Sequence, residues 1–491
     1  MNRYKYIISL LLIVHLAVLF LFVFLRLADA DEGFYMNAAR MVHQGMSVYT
    51  DFFFPQMIML PVVFAPFSNG GWESFFLLRG FAALAGFLSA ILLALIVFKT
   101  TRGYKTTTIA LAMYVFSGIT IVWHSAFKTL PFCSFLSLGT FFFWLLYYEK
   151  RRLSYMILTG LFLSALINFR SVFIVLLPPY FLSMFSLSKA GRLKNLAIFI
   201  VSLIPFALPT LLTIIQAPDR FFYGNLILRL KRIAEGGFGA VFSNKATTVF
   251  RAIIDPHLLI IFALAVISFI LLIKQKRLES IADLFRKPKG MAILNLFLIG
   301  AVYLLPYPIA RQYIEQFLAF GIILAAFNIG QFLTVMNRAL TAKVRKAVFA
   351  AVSALFLLSI VPYVAIFIFG VRDNDRMYML SNIGEITDRM LALSGPSDTV
   401  LSEWPGYPFL TGQIPLRYTE IETGENRSSL NHDGYLHYNL ADRQYFNEEL
   451  RKKTPRLVVI LYKPPAYYAS SLENNYDGVF SSNDVTIYKR K

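Results

Sequence analysis

The chain has 491 residues, of which 57% are hydrophobic and 15% are charged, whereas about 25% of the residues of soluble domains are charged. This apolar surface exceeds what one water-soluble core can bury and indicates an integral membrane protein. The composition excludes a disordered chain, a disulfide-stapled secreted module and a nucleic-acid-binding protein, because each of these needs a polar or cysteine-rich sequence.

The net charge of +19 is unevenly distributed along the chain. Residues 1–370 contain 33 Lys/Arg and 12 Asp/Glu, whereas residues 371–491 contain 14 and 16. Cytoplasmic loops and anionic lipid headgroups both favour cations in a membrane domain. Membrane lipids therefore account for the basic excess, and no nucleic-acid partner is implied.

Apolar stretches of about 17 to 25 residues predict membrane-spanning helices. Eleven are found, near residues 6–26, 76–98, 107–123, 130–148, 153–168, 171–187, 195–216, 257–273, 291–306, 312–333 and 347–370. The basic loops between them fall on alternate sides and all face the cytoplasm if the N-terminus is inside. The sequence thus predicts a multi-pass plasma (inner) membrane protein whose C-terminal segment lies outside.

The first apolar stretch has two interpretations. Ala28-Asp29-Ala30 resembles the cleavage site of a signal peptide. The apolar run of about 19 residues is longer than the usual 7 to 15 of a signal peptide, which favours an uncleaved anchor. Asp31 lies outside in both interpretations.

Residues 371–491 have mixed polar sequence and predict a second domain beside a transmembrane domain of residues 1–370. Helix-like runs occur at 377–393 and 440–452, and strand-like runs at 399–402, 456–461 and 485–489. This alternation predicts a small α/β domain on the outer face. Two long outer loops, near 27–75 and 217–256, precede it.

The spacing of apolar residues in the first long outer loop predicts an amphipathic helix that begins just after Asp31 and ends at Gly45. One interpretation of Asp31 and Glu32 is that they cap this helix at its positive end. The other is that a carboxylate here acts as a general base at the outer face. The scarcity of acidic residues supports the general-base interpretation, since three of the 12 acidic residues before position 371 lie at positions 29, 31 and 32.

This loop resembles the first-loop signature of the GT-C glycosyltransferases, particularly the branch of the protein O-mannosyltransferases and the lipid A aminoarabinose transferases. The residues that carry the resemblance are Asp31-Glu32-Gly33-Phe34-Tyr35, Ala38-Ala39, Gly45, Tyr49-Thr50-Asp51-Phe52-Phe53 and Pro55-Gln56. The resemblance covers the whole topology. It implies a mainly α, polytopic GT-C-like bundle of about eleven transmembrane helices, with amphipathic outer-loop helices and a small α/β C-terminal domain.

The family's first-loop aspartate is the catalytic base, and the resemblance assigns that role to Asp31, with Glu32 beside it. Tyr35 and Asp51 become candidate substrate-loop residues. The implied reaction moves a sugar from a polyprenyl-phosphate donor to a glycan, lipid or protein acceptor with inversion, so that one carboxylate suffices. No cofactor is implied, and no metal either, since no His, Cys, Asp and Glu cluster with ligand spacing is visible.

A lipid-phosphate leaving group needs fixed positive charge at the outer interface. One candidate is Arg311, which follows a Pro-rich turn and precedes Tyr313, as in the basic and tyrosine pair common in the family. Arg311 could instead reach the interface or pair with Glu315 at i+4. A second candidate is Arg170, in the turn between the fifth and sixth spans. A charge at a helix centre is costly, so Arg170 is expected at the interface or in a polar cavity.

The third candidate is a basic cluster in the second long outer loop, formed by Arg229, Lys231 and Arg232. Apolar residues flank it at helical spacing, which indicates an interfacial helix. Such a helix could hold the donor headgroup or bulk anionic lipid.

Some positions depart from the family pattern. Pro55-Gln56 lacks the Glu-Lys-Pro-Pro pattern of the aminoarabinose branch, and the turn with His124 and Lys128 has no acid where many relatives have one. Both departures weaken an assignment to lipid A modification. Trp404-Pro405-Gly406-Tyr407 shares only its aromatic character with the oligosaccharyltransferase Trp-Trp-Asp-Tyr-Gly motif.

Two other functions remain open. A lipid-glycan transporter or flippase has a similar number of spans, but it usually places ionisable residues near the midplane and is built from repeats. Here the unusual charges lie at outer span ends and no repeat is evident. A non-catalytic scaffold with an outer binding domain would make Asp31 replaceable.

Overall fold

The computed structural model describes residues 2–187, 191–228, 230, 237–277, 279–304, 309–371, 373–421 and 430–491. The helices before residue 371 are α1 (Asn2–Leu25), α2 (Ala30–His43), α3 (Met59–Phe64), α4 (Gly71–Thr101), α5 (Tyr104–Val115), α6 (Gly118–His124), α7 (Thr129–Lys150), α8 (Leu153–Phe169), α9 (Leu177–Leu187), α10 (Arg192–Gln216), α11 (Pro218–Phe222), α12 (Gly237–Ile253), α13 (Pro256–Lys274), α14 (Ile281–Arg286), α15 (Pro288–Leu304), α16 (Glu315–Ala326), α17 (Ile329–Ala339), α18 (Ala342–Leu358) and α19 (Val361–Phe367). Short 3-10 turns lie at Ala65–Phe67, Ser171–Leu176, Arg311–Ile314 and Asp373–Tyr378, and a π-helical turn at Tyr223–Ile227.

The long helices follow from apolar sequence, because inside a bilayer each backbone N–H and C=O must be paired within its own segment. Among the described residues, six helical stretches are long and apolar enough to cross a membrane: Arg3–Leu25, Gly71–Thr101, Thr129–Lys150, Arg192–Gln216, Pro256–Lys274 and Ala342–Phe367. Two pairs of helices pass this test only when the two members are counted together, and each pair is bent at a short break. The angle is 62° between α5 and α6, and 56° between Arg311–Ala326 and α17.

Shorter apolar helices occupy Leu153–Phe169, Ser171–Leu187 and Pro288–Leu304. The mainly helical membrane part is confirmed. The predicted number of eleven spans and their orientation stay predictions.

The C-terminal segment contains α20 (Leu380–Leu393), α21 (Gly406–Thr411), α22 (His432–His437), α23 (Arg443–Arg451) and α24 (Ala466–Asn475). Its strands are β1 (Thr399–Ser402), β2 (Ile414–Pro415), β3 (Leu457–Leu461), β4 (Tyr476–Ser482) and β5 (Val485–Arg490). These described strands form one sheet in the order β2-β1-β3-β5-β4. The first three are parallel, and β5 pairs antiparallel with β3 and β4. The small α/β arrangement matches the predicted one.

The C-terminal segment packs directly on α2. The Trp404 indole N–H donates to the Ala30 carbonyl at 3.1 Å. Arg40 is buried and donates to the carbonyls of Pro408, at 2.6 Å, and Gln413, at 3.1 Å. One continuous apolar core joins the membrane helices to this segment.

Glycine allows the closest approach between these two parts. A Cβ on Gly33 of α2 would lie 2.3 Å from the Gly406 backbone nitrogen of α21. Only a residue without a side chain lets the helices come this close. The helix that carries Asp31 is therefore fixed by residues 368 to 374 positions away in the sequence.

Candidate active site

The three acids of the first outer loop have three different environments. Asp29 is the N-cap of α2: its carboxylate accepts from the Asp31 amide at 3.0 Å. The Glu32 carboxylate returns a bond by accepting from the Asp29 amide at 2.8 Å. This is a capping box. The capping interpretation thus applies to Asp29 and Glu32, and the helix begins at Ala30, two residues earlier than predicted.

Glu32 is fully buried and bound from all sides. Arg79 donates to it from Nε at 2.9 Å and from Nη2 at 2.6 Å, and Arg26 from Nη1 at 3.3 Å. The Phe127 amide adds a bond at 2.9 Å. Burial alone would raise the pKa of Glu32, but Arg79 and Arg26 hold it below its usual value. Such a carboxylate ties α1, α2, α4 and the turn before α7 together.

Asp31 is the acid that keeps access to solvent. Its side chain is 56% exposed and forms an ion pair at 2.8 Å with Lys128. Since Asp29 performs the capping, the Asp31 carboxylate is not needed to hold the helix end. Its position and exposure fit a group that meets substrate.

Lys128 lies at the centre of this cluster, although its side chain is almost fully buried. Its ammonium donates to Asp29 Oδ1 at 2.8 Å and to Gln312 Oε1 at 3.3 Å, and it lies 5.0 Å from the Trp123 ring centroid. Burial alone would lower the pKa of the Lys128 ammonium, but Asp29 and Asp31 raise it above its usual value. Lys128 is therefore a fixed positive charge between the acidic loop and Gln312.

Arg311 pairs with Asp255 at the start of α13, and Tyr363 donates to the same carboxylate at 3.1 Å. His257 bonds the other oxygen of Asp255 and, through Nε2, Ser117 at 2.9 Å. The Arg311 guanidinium is partly exposed and lies 5.0 Å from the Tyr363 ring centroid. Asp255 thus sets the orientation of Arg311.

The alternative pairing of Arg311 with Glu315 is wrong. Glu315 is buried and pairs with His124 Nε2 at 2.6 Å, and it accepts from Ser134 at 2.7 Å. Arg311, in the 3-10 turn Arg311–Ile314, pairs with Asp255 instead. The turn with His124 has no acidic residue of its own, and the acid beside His124 is Glu315, at the start of α16.

A cavity of about 350 Å³ lies between Asp29 of the first outer loop and Arg311. It is lined by Leu27, Ala28, Asp29, Ala30, Trp123, Ala310, Arg311, Gln312, Pro362, Tyr363, Ile366, Phe367 and Tyr378. Asp29 of the first outer loop and Arg311, from the turn before α16, thus line the same cavity. The remaining walls are largely apolar and aromatic, which is typical of a ligand site.

Arg170 and Tyr313 come together, although the sequence paired Tyr313 with Arg311. The Arg170 guanidinium lies 5.0 and 5.2 Å from the ring centroids of Tyr303 and Tyr313 and donates to Thr129 at 3.2 Å. Burial raises the pKa of Tyr35 to about 12, and the charge of Asp31 adds to the shift while Arg170 opposes it. The Tyr35 hydroxyl therefore lies within electrostatic reach of both Asp31 and Arg170.

Asp51 lies elsewhere in the first loop. Its exposed carboxylate accepts from the Ser47 amide at 2.6 Å and so stabilises its own turn. The neighbouring carbonyl of Thr50 is held by Arg220 at 2.6 Å and by Asn439 at 3.1 Å. Asp51 thus belongs to a loop fixed by the second outer loop and the C-terminal segment. The cluster of Arg229, Lys231 and Arg232 lies outside the described residues.

Sequence reasoning missed Lys128, Asp255 and Arg79 as parts of this site. A signal for Lys128 was present: it is a basic residue in an outer turn, the criterion that selected Arg170 and Arg311. In the described part of the chain, no group of three His, Cys, Asp or Glu side chains suited to a metal ion is found.

No protein-family model and no curated protein matches the sequence. Solved structures are similar in fold. ArnT from Cupriavidus metallidurans bound to undecaprenyl phosphate superposes with a TM-score of 0.66 and 14% identity, over 98% of this chain and 97% of that one. The apo form of that protein superposes with a TM-score of 0.63 and 14% identity, over 99% of this chain and 98% of that one.

The Archaeoglobus fulgidus oligosaccharyltransferase tethered to an acceptor peptide gives a TM-score of 0.55 and 13% identity, over 100% of this chain and 74% of that one. These proteins are GT-C glycosyltransferases. The resemblance to GT-C enzymes inferred from the first outer loop is thereby confirmed at the level of the fold.

Proposed function

We propose that this protein is an inverting membrane glycosyltransferase that moves a sugar from a polyprenyl-phosphate donor to an acceptor at the outer face of the plasma (inner) membrane. The acceptor is a lipid-linked glycan, a lipid or a protein. The observation that carries the proposal is the exposed Asp31 carboxylate, which does not cap α2 and shares the Lys128 ammonium with Asp29. Asp29 lines a cavity together with Arg311. The shared fold with ArnT, whose structure holds undecaprenyl phosphate, supports the donor class.

In the proposed reaction Asp31 accepts the proton of the acceptor hydroxyl. The oxygen forms a bond to the anomeric carbon while the bond from that carbon to the phosphate oxygen breaks. The electron pair leaves with the polyprenyl phosphate, and attack from the opposite side inverts the anomeric centre. One general base of this kind typically contributes about 10²- to 10⁴-fold to the rate.

The leaving phosphate needs positive charge that is already in place. Arg311 is held by Asp255 and lines the cavity, and Lys128 reaches Gln312 on the same wall. Arg170 lies over the rings of Tyr303 and Tyr313 and is a further candidate. In this proposal Glu32 is a positioning residue, because its carboxylate is buried and already bound.

Asp31→Asn tests the base assignment. The amide keeps the size of the side chain but does not accept a proton at neutral pH, so transfer should fall by at least about 100-fold while the donor still binds. The matched control is Glu73→Gln, an exposed acid in the first turn of α4. Surface-glycan mass spectrometry of cells that make either variant gives the readout, and near-normal product with Asp31→Asn would reject the assignment.

A lipid-glycan transporter is the second candidate, and the two bent helix pairs support it, since transporters place discontinuous helices at their sites. The two functions differ in their products. A transferase makes a new glycosidic bond in detergent, where there are no sides to cross. A transporter yields no new bond there and moves the intact glycolipid only across a sealed vesicle.

A further inference from the structure

Lys128 stands between the proposed base and the wall of the cavity. On one side its ammonium contacts Asp29 and Asp31, each at 2.8 Å. On the other it bonds Gln312 at 3.3 Å, and Gln312 lines the cavity next to Arg311.

The contacts of Lys128 differ in how firmly they hold it. Asp29 is partly buried and is itself fixed as the N-cap of α2, so its bond is retained. Asp31 is 56% exposed, and an ion pair to an exposed carboxylate is weak. The Gln312 bond is long and joins a neutral acceptor. The Asp31 and Gln312 contacts are therefore the two that an incoming anion replaces most easily.

A phosphate beside Arg311 and Gln312 would compete for the same ammonium. A lysine donates three hydrogen bonds and rotates freely about its last bonds, so it can reach a phosphate oxygen without leaving Asp29. Charge-assisted bonds to phosphate are stronger than a bond to a neutral amide oxygen. An ammonium beside a carboxylate also disfavours proton addition to that carboxylate.

We propose that Lys128 couples donor binding to the base: the donor phosphate draws the ammonium from Asp31, which leaves the carboxylate free to take the acceptor proton. Lys128 is then a phosphate ligand in the bound state and a partner of Asp31 in the empty state. This inference rests on the proposed function, since it needs a phosphate donor in the cavity. It predicts that Asp31 and the phosphate compete for one cation.

Binding of undecaprenyl phosphate to the full chain in nanodiscs measures this competition, with undecaprenol as the neutral control for the lipid tail. Asp31→Asn removes one competitor, so it should tighten undecaprenyl phosphate binding by about twofold to fivefold, the range of an exposed ion pair. Lys128→Gln should weaken phosphate binding. In the Lys128→Gln background, Asp31→Asn should give no further tightening, because the shared cation is gone.

Two more variants serve as controls for surface charge and for folding. Glu73→Gln removes an exposed carboxylate that is not among the groups shifting the pKa of Lys128, and it should leave the affinity unchanged. Lys128→Arg keeps the positive charge, so Asp31→Asn should still tighten binding in that background, even if Lys128→Gln fails to fold. If Asp31→Asn leaves the affinity unchanged or lowers it, the coupling is refuted.

The same binding measurements separate this inference from the proposed function. Wild-type protein that prefers undecaprenyl phosphate over undecaprenol, with no gain from Asp31→Asn, refutes the role of Lys128 and leaves the donor site standing. Wild-type protein that binds both lipids equally refutes the phosphate site and the coupling together.

Discussion

Replacing Glu32 with glutamine should destabilise the protein far more than replacing Asp31 with asparagine. Glu32 receives bonds from two guanidinium groups and two backbone amides, and its side chain is fully buried. Glutamine keeps one carbonyl acceptor, but its NH₂ group faces donors and the charge that balances Arg26 and Arg79 is lost. Removing one partner of a buried ion pair costs about 3 to 5 kcal/mol.

The Asp31→Asn variant provides the comparison, because its ion pair with Lys128 is exposed on the carboxylate side and should contribute about 0.2 to 1 kcal/mol. Both variants would be unfolded by titration with sodium dodecyl sulfate in mixed micelles, followed by tryptophan fluorescence. We expect a clear shift of the midpoint for Glu32→Gln and almost none for Asp31→Asn. Equal midpoints, or a stability loss below about 1 kcal/mol for Glu32→Gln, would show that the buried pair does not hold the fold.

Further predictions concern the cavity and the C-terminal segment. Arg311→Ala should weaken donor binding and lower turnover together by about 10- to 100-fold, with part restored by Arg311→Lys; donor-concentration dependence of transfer measures both. Gly33→Ala should lower the thermal midpoint, because its Cβ would lie 2.3 Å from a backbone atom, whereas Gly80→Ala meets nothing within 4 Å. Burial raises the pKa of Glu420 from 4.5 to about 7. The folded state therefore holds this proton where the unfolded state has lost it, so stability should fall by up to about 3 kcal/mol between pH 4.5 and 7. Glu420→Gln should flatten that part of the pH profile of the thermal midpoint.

The local features of the fold were predictable from the sequence. Helix α2 ends at His43, two residues before Gly45, whose φ of 89° fits the helix stop that the glycine predicted. In the C-terminal segment, β1 has the predicted bounds, and β3 and β5 differ by one residue each. β1 and β3 are largely buried and β5 is at least half-buried, so apolar residues mark these strands in the sequence.

Two strands escaped prediction because their sequences carry no such pattern. β2 has only two residues, one of them proline, and forms an edge of the sheet. β4 is mostly exposed, includes Asp477 and Gly478, and has an irregular register near Gly478. Tertiary pairing, rather than local preference, makes both of them strands.

The charged residues of the site were predictable from the sequence, but the residues with which they pair were not. The positions of Asp31, Arg170 and Arg311 at outer span ends were visible in the sequence. Their partners Lys128, Thr129 and Asp255 come from other helices, and the packing of the bundle decides which are adjacent. The same packing turned Tyr313 toward Arg170 and left Glu315 with His124.

The bond from Trp404 to the Ala30 carbonyl has a consequence for how the protein is made. It joins residues 374 positions apart. At roughly 5 to 20 residues per second, the ribosome takes on the order of tens of seconds to reach the second partner after the first has been synthesised. During that interval α2 lacks its contacts with Trp404 and Pro408, so the acidic loop is not yet fully held. Translation of the last quarter of the chain thus sets the moment at which the site is assembled.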